Sequence, residues 1–158
     1  MAIVLYRIDE RLIHGQVVVG WGSRLDPTRY VVVDDEVADS PWEQDLYILG
    51  LPETVAAVFV SAREGRERLE EWQEDSSRTV LLTRDAGTMV ELSQGGRLSG
   101  VEVNVGGLHH AADRTEVLSY LHLSERDREE LQELEAEGAR ISARDLPGSR
   151  RVPLSELL

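Results

Sequence analysis

Short apolar runs recur along the chain, and longer segments in which polar residues dominate separate them. Compact runs rich in Val and Ile are typical of strands that are buried on both faces of a sheet. The runs predict strands at Ile3 to Ile8, Tyr30 to Val33, Val55 to Val60, Val80 to Leu82, Val101 to Val105, Val117 to Leu123 and Arg140 to Leu146.

The segments between these runs have helical character. Ser61 is suited to cap a helix through about Glu74, and Ser124 to cap one that ends at Gly138. Further helices are predicted after Gly15 and from Asp85 to Leu92. Strands that alternate with helices predict βαβ units. We therefore expect a three-layer α/β/α fold, in which helices cover both faces of a mainly parallel sheet of six or seven strands.

Composition narrows the class of protein. The length of 158 residues predicts one domain over residues 1–158. Acidic residues outnumber basic ones by 30 to 17, and this excess argues against a protein that binds nucleic acid by neutralising phosphates. All 17 basic residues are arginines, so a Schiff-base lysine and a P-loop are excluded. With no cysteine, disulfides and thiolate metal sites are excluded too.

The first residues, Met-Ala-Ile-Val-Leu-Tyr-Arg, form too short an apolar run for a signal peptide. No apolar stretch approaches the length needed to span a bilayer. We expect a cytoplasmic protein.

Chemistry is concentrated in residues 7–16, which read Arg-Ile-Asp-Glu-Arg-Leu-Ile-His-Gly-Gln. They follow the first predicted strand, and ligands of open α/β sheets bind at such strand-to-helix junctions. His14 is a nucleophile or proton carrier that titrates near neutral pH. Arg7 and Arg11 carry donors suited to phosphate oxygens, and Asp9 is placed to orient the imidazole or an arginine.

The charge distribution supports an anion site in this segment. Residues 1–25 hold three arginines and two acidic residues, which gives +1, so the remaining residues carry −14. Backbone N–H groups after Gly15 are also able to point at an anion. An alternative stays open at this point. The histidine is equally explained as a packed residue, and the alternating Arg7, Asp9 and Arg11 as a structural ion-pair ladder.

The segment Arg-Ile-Asp-Glu-Arg-Leu-Ile-His-Gly-Gln-Val resembles the phosphorylation loop of IIB subunits in the mannose/fructose/sorbose family of the bacterial sugar phosphotransferase system (PTS). Glu10 stands where that family commonly has Asp. Residues 32–38, Val-Val-Asp-Asp-Glu-Val-Ala, resemble the family's second strand and the acidic turn after it. Residues 104–109, Asn-Val-Gly-Gly-Leu-His, resemble its Asn-Val-Gly-Gly-Met-His segment.

The resemblance covers essentially the whole chain and implies a free-standing IIB domain that acts as a protein-Nπ-phosphohistidine–sugar phosphotransferase. His14 would accept a phosphoryl group from a phosphorylated IIA protein and pass it to a sugar bound in the membrane subunits IIC and IID. Such a protein would be associated peripherally with the membrane permease. The resemblance implies no metal and no organic cofactor. A homodimer stays open as an alternative to a monomer.

In this interpretation His14 is the nucleophile, Arg11 stabilises the phosphoryl charge, and Asp9 orients the ring or the arginine. Phosphate binding is expected from Arg7, Gly15, Gln16 and Val17. Four surrounding residues are further candidates, and for each of them a structural role competes with a functional one: Asp34, Thr83, Gly106 and His109. The four histidines show no metal-ligand spacing.

Two other functions are considered. The same loop could serve a regulatory module whose phosphorylation controls a partner rather than transport. A histidine-dependent phosphatase is the other, but such enzymes usually place Arg immediately before His-Gly, where this chain has Ile13.

Overall fold

A computed structural model describes residues 2–158, whose largest element is a seven-stranded sheet. Its strands, in chain order, are β1 (Ile3–Ile8), β2 (Arg29–Val33), β3 (Ala56–Val60), β4 (Thr79–Thr83), β5 (Glu102–Val105), β8 (Arg140–Ala143) and β9 (Val152–Pro153). They lie in the order β3-β2-β4-β1-β5-β8-β9. All neighbouring pairs are parallel except β8 and β9, which are antiparallel.

Helices cover this sheet on both faces, which confirms the predicted three-layer α/β/α fold. One apolar cluster joins the sheet to α4 (Ala62–Glu74), α5 (Ala86–Ser93) and α6 (Glu125–Ala136). The other joins it to a π-helix (Gln16–Trp21), α2 (Asp35–Ala38) and α3 (Pro41–Leu49). A short helix α1 (Gly22–Leu25) continues the π-helix, and a 3-10 turn (Leu154–Glu156) follows β9.

The predicted helix boundaries follow from local chemistry. The Ser61 hydroxyl accepts from the N–H of Glu64 at 3.1 Å and thereby caps α4. Ser124 and Asp127 form a reciprocal capping box at the start of α6. Gly138 follows this helix at φ +100°, in the left-handed region that favours glycine.

Other predictions were wrong in detail. The run Val117 to Leu123 is not a strand of the main sheet: it contributes to a separate antiparallel pair, β6 (Thr115–Leu118) and β7 (Leu121–Leu123). A turn at Ser119 and Tyr120 divides the run. The last predicted strand stops at Ala143 rather than Leu146. Helices α2 and α3 and the short strand β9 were not predicted.

None of the helices within residues 2–158 has the length and apolar character needed to cross a membrane.

Candidate phosphorylation site

The loop after β1 lies at the carboxyl edge of the sheet, between the ends of β4 and β5. The N–H of Asp9 donates to the carbonyl of Thr83 at 2.9 Å, and the N–H of Glu10 donates to the carbonyl of Gly107 at 2.9 Å. Leu12 is fully buried and has a φ of +55°, which is rare for a residue other than glycine. Bonds to β4 and to the segment that follows β5 therefore hold a strained turn in one shape.

Arg7 is fully buried beneath this loop. Its Nε and Nη2 donate to Asp9 Oδ2 at 3.2 and 3.0 Å. Nη1 donates to Asn104 Oδ1 and, at 2.9 Å, to the carbonyl of Arg144, and Nη2 also donates at 3.1 Å to that of Asp145. The protein thus occupies all N–H groups of this guanidinium. The expectation that Arg7 binds phosphate does not fit this geometry, and Arg7 instead holds Asp9 in place.

Asp9 is the centre of the network and is also fully buried. Besides the bonds from Arg7, its carboxylate accepts from the backbone N–H of Arg11 at 3.0 Å and from that of Gly107 at 3.1 Å. Burial raises the pKa of the Asp9 carboxyl, but the hydrogen bonds from Arg11 and the charge of Arg7 outweigh it. Its pKa therefore lies below its ordinary value, and the group is a carboxylate at neutral pH.

Arg11 differs from Arg7 because its side chain is 31% exposed. Its Nε donates to Asp9 Oδ1 at 3.1 Å, and its Nη2 donates to Gln16 Oε1 at 2.9 Å. Within residues 2–158, Nη1 has no hydrogen-bond partner. The guanidinium is therefore held on one side and free to bind an anion on the other.

The ring of His14 lies against Asp9 at the mouth of the loop, with its side chain 15% exposed. Nδ1 is 2.9 Å from the carbonyl of Leu12, and because a carbonyl only accepts, Nδ1 carries a proton in this arrangement. Nε2 is buried, 3.7 Å from Asp9 Oδ2, and has no hydrogen-bond partner in the described part of the chain. Burial lowers the pKa of the imidazole below its ordinary value, which the Asp9 carboxylate offsets only in part.

Three residues that follow His14 were expected to cradle phosphate through backbone donors. The N–H of Val17 is already used, since it donates to the carbonyl of His14 at 3.1 Å. The N–H groups of Gly15 and Gln16 lie at the start of the π-helix and have no partner among residues 2–158. Two of the three predicted donors are therefore free.

The predicted surrounding residues have structural partners. Asp34 is the N-cap of α2, accepts from the N–H of Val37 at 3.1 Å, and accepts from Arg84 Nε at 3.3 Å. The hydroxyl of Thr83 donates to the carbonyl of Asp85 at 2.8 Å and is fully buried. Neither side chain reaches the imidazole.

Gly106 and Gly107 provide room for the guanidiniums of Arg7 and Arg11. A Cβ atom at Gly106 would collide with the guanidinium of Arg7, and one at Gly107 would lie 2.8 Å from Nη2 of Arg11. These glycines therefore allow two arginines to lie against the end of β5.

His109 lies at the rim of the site, where Glu10 holds it. Its N–H donates to Glu10 Oε2 at 3.1 Å, and its Nδ1 is 3.2 Å from the same oxygen. Arg114 donates to the other oxygen of Glu10 and, through Nε, to Asp127 at 3.0 Å. This connection between the loop and α6 was not predicted, because Glu10 and Arg114 are far apart in sequence and neither belongs to a recognisable spacing.

Several residues that build the site carried no functional signal in the sequence. They are Arg144 and Asp145, which lie beside Arg7, and Trp21, whose ring centroid is 5.4 Å from the Arg7 guanidinium carbon. Arg144 and Asp145 contribute backbone carbonyls, a role that any residue type fills. Asn104 was predictable only through the family resemblance, and Gln16 was predicted for its backbone N–H rather than for its side-chain bond to Arg11.

The sequence-family model of the PTS system sorbose subfamily IIB component matches residues 3–158 of this chain. The chain belongs to this IIB family. It is 30% identical over 156 residues to the N-acetylgalactosamine-specific phosphotransferase enzyme IIB component 2 of Escherichia coli K12, covering 99% of this chain and 98% of that protein. A second relative, the mannose-specific EIIAB component of E. coli K12, is 30% identical over 158 residues, which are 100% of this chain. The chain spans about half (49%) of that protein's length.

A solved structure shares the fold. The crystal structure of an N-acetylgalactosamine IIB component from Streptococcus pyogenes superposes with a TM-score of 0.89 over 99% of this chain and 97% of that chain, at 22% identity. IIB components of this family act as phosphotransferases and work in the PTS with IIA and with IIC and IID. The IIB chain is thus one part of a sugar transport system.

Proposed function

We propose that this IIB chain carries a phosphoryl group on His14, which it accepts from a phosphorylated IIA protein and passes to a sugar bound in IIC and IID. The observation that carries the proposal is the joint placement of His14 and the half-free guanidinium of Arg11 on one buried carboxylate, Asp9. In the part of the chain that the structure describes, Arg11 Nη1 and the N–H groups of Gly15 and Gln16 are donors without partners in the loop that carries the imidazole.

The accepting atom in this proposal is Nδ1. Nε2 is turned inward, where Asp9 covers it, so an incoming phosphoryl group has no access to that nitrogen. For Nδ1 to attack, the ring must carry its proton on Nε2 instead. The Asp9 carboxylate at 3.7 Å from Nε2 stabilises that form of the ring, and the bond between Nδ1 and the Leu12 carbonyl is released.

Transfer then proceeds in line. The Nδ1 lone pair forms the new N–P bond while the N–P bond on the donor histidine breaks, and the donor ring leaves with that electron pair. Each ring keeps the proton on its other nitrogen, so atoms and charge balance. Arg11 and the free backbone N–H groups stabilise the charge on the equatorial oxygens, which is the main way a protein accelerates this step.

The test is phosphorylation by a protein donor. The IIA half of the mannose-specific EIIAB relative, phosphorylated on its histidine, should transfer one acid-labile phosphate to the wild-type chain. His14→Ala should accept none, whereas His110→Ala, which changes an exposed histidine, should accept as much as wild type. Label on His14→Ala, or none on wild type with a donor that labels its own IIB partner, contradicts the proposal.

The onward step needs a second measurement. Labelled phospho-IIB, mixed with vesicles that hold matching IIC and IID subunits, should release its phosphate to sugar. Labelled protein that keeps its phosphate in the presence of several such permeases and sugars would instead favour the regulatory alternative.

A further inference from the structure

Arg84 follows β4 directly and lies beside the phosphorylation loop without joining the Asp9 network. The carbonyl of its neighbour Thr83 accepts the hydrogen bond from the N–H of Asp9, and Arg84 therefore lies at the same edge of the sheet as His14. The side chain is 34% exposed, and its Nε donates to Asp34 Oδ1 at 3.3 Å. Within residues 2–158, the two Nη groups have no hydrogen-bond partner. Half of this guanidinium is therefore unused by the fold.

Asp34 fixes the direction of this arginine. The Asp34 side chain is 8% exposed, and its other oxygen caps α2 by accepting from the N–H of Val37. A carboxylate bound at both oxygens has little freedom, so the Arg84 fork is held before any partner arrives. Such preorganisation lowers the entropy lost when the free donors bind an anion.

Arg84 also lines a depression of about 400 Å³ next to the loop, together with Glu10, Asp85, His109 and Arg114. Arg114 uses its Nε and Nη1 on Asp127 and Glu10, and its side chain is only 16% exposed. Arg84 is therefore the better-exposed guanidinium of this depression. Glu10 and Asp85 line the same depression, but the free N–H groups of Arg84 remain able to bind a carboxylate that enters it.

We propose that Arg84 is a docking residue for the phosphoryl donor and binds a carboxylate on the donor protein's surface through its free Nη groups. Asp34 is the positioning residue that holds it. The inference rests on the proposed function, because it assumes that a protein brings the phosphoryl group to His14. The phosphoryl group itself is left to Arg11 and the loop, since Arg11 bonds the Asp9 carboxylate that lies against His14, whereas Arg84 bonds Asp34.

The first measurement is the second-order rate constant for phosphorylation by the phosphorylated IIA half of the mannose-specific EIIAB relative, at several ionic strengths. Arg84→Ala should lower it about three- to tenfold at low salt and should flatten its dependence on salt, because charges at the rim of an interface act mainly on association. Arg84→Lys should retain most of the rate. Arg126→Ala, which removes an 86% exposed arginine on α6, should leave the rate unchanged.

Asp34→Asn tests the positioning role. Asn caps helices as well as Asp does, so α2 keeps its cap while the charge that holds Arg84 is lost. The rate with the protein donor should fall about twofold, with the same flattening against salt.

Phosphoramidate, a small donor with no protein surface, gives the second readout. It should label wild type and Arg84→Ala at equal rates. Equal losses with both donors would mean that Arg84 acts on His14 itself, and a wild-type rate for Arg84→Ala with the protein donor at low salt would mean that it docks nothing. Either result overturns the inference. Failure of the proposed function looks different, because then the wild-type chain itself takes no label from the protein donor.

Discussion

Among substitutions at the site that keep the side-chain volume, Asp9→Asn should lower the free energy of unfolding most. Asp9 is fully buried, and its carboxylate lies between two guanidiniums. Removing the charge of Asp9 leaves the buried Arg7 guanidinium uncompensated. The NH₂ group of the new asparagine also faces N–H donors, to which it cannot bond. Breaking one partner of a buried ion pair costs about 3–5 kcal/mol, out of roughly 5–15 kcal/mol for a whole domain.

Urea denaturation followed by circular dichroism measures this loss. With a slope of about 2 kcal/mol per molar urea, the midpoint should fall by roughly 1.5–2.5 M. Asp75→Asn is the matched control, since Asp75 also accepts from an arginine, Arg29, but its side chain is 31% exposed. That variant should lose about 0–1 kcal/mol.

The difference in stability between wild type and Asp9→Asn should depend on pH. The pKa of Asp9 is lowered in the folded chain, so its contribution is present above its ordinary value of 3.8 and is lost as the pH falls through the lower folded value. The gap between wild type and Asp9→Asn should therefore narrow below pH 3.8. If Asp9→Asn at neutral pH loses no more than Asp75→Asn does, the carboxylate is not the centre of the network and the reasoning fails.

Two further predictions concern the ring and the room around Arg7. Phosphorylation of His14 by the protein donor should be fastest when the ring is neutral. Because burial lowers the pKa of His14 below 6.5, the rate should be level at pH 7 and fall to half only below 6.5; a half-point above 7 would contradict this. Gly106→Ala should destabilise the fold by about 1–3 kcal/mol, because its Cβ collides with the Arg7 guanidinium, whereas Gly148→Ala, whose Cβ meets open space, should stay within about 0.5 kcal/mol in the same urea assay.

Local chemistry made part of the fold predictable. Strand β1 and helices α4 and α6 follow from an apolar run, from serine caps and from Gly138, all of which act within a few residues. Helix α3 escaped prediction because it buries none of its residues. It exposes Trp42, Leu46 and Leu49, so its apolar positions mark no buried face.

The site was predictable only in its contiguous part. Asp9, Arg11 and His14 meet because they share one loop. The role of Arg7 was not predictable, since it depends on Asn104 and on the carbonyls of Arg144 and Asp145, which join the site only after β5 and β8 have assembled. The same holds for Arg84, because its orientation depends on a contact with Asp34, and the two residues follow strands that are neighbours only in the folded sheet.

The short strand β9 has a consequence for how copies of this protein behave when crowded. It closes one edge of the main sheet with two residues that run antiparallel to β8, and one of them is Pro153, which has no N–H to donate. Open sheet edges recruit strands from other molecules and so promote aggregation. An edge strand this short, with a proline in it, offers few donors to a strand from another molecule, so it disfavours growth of the sheet at that edge.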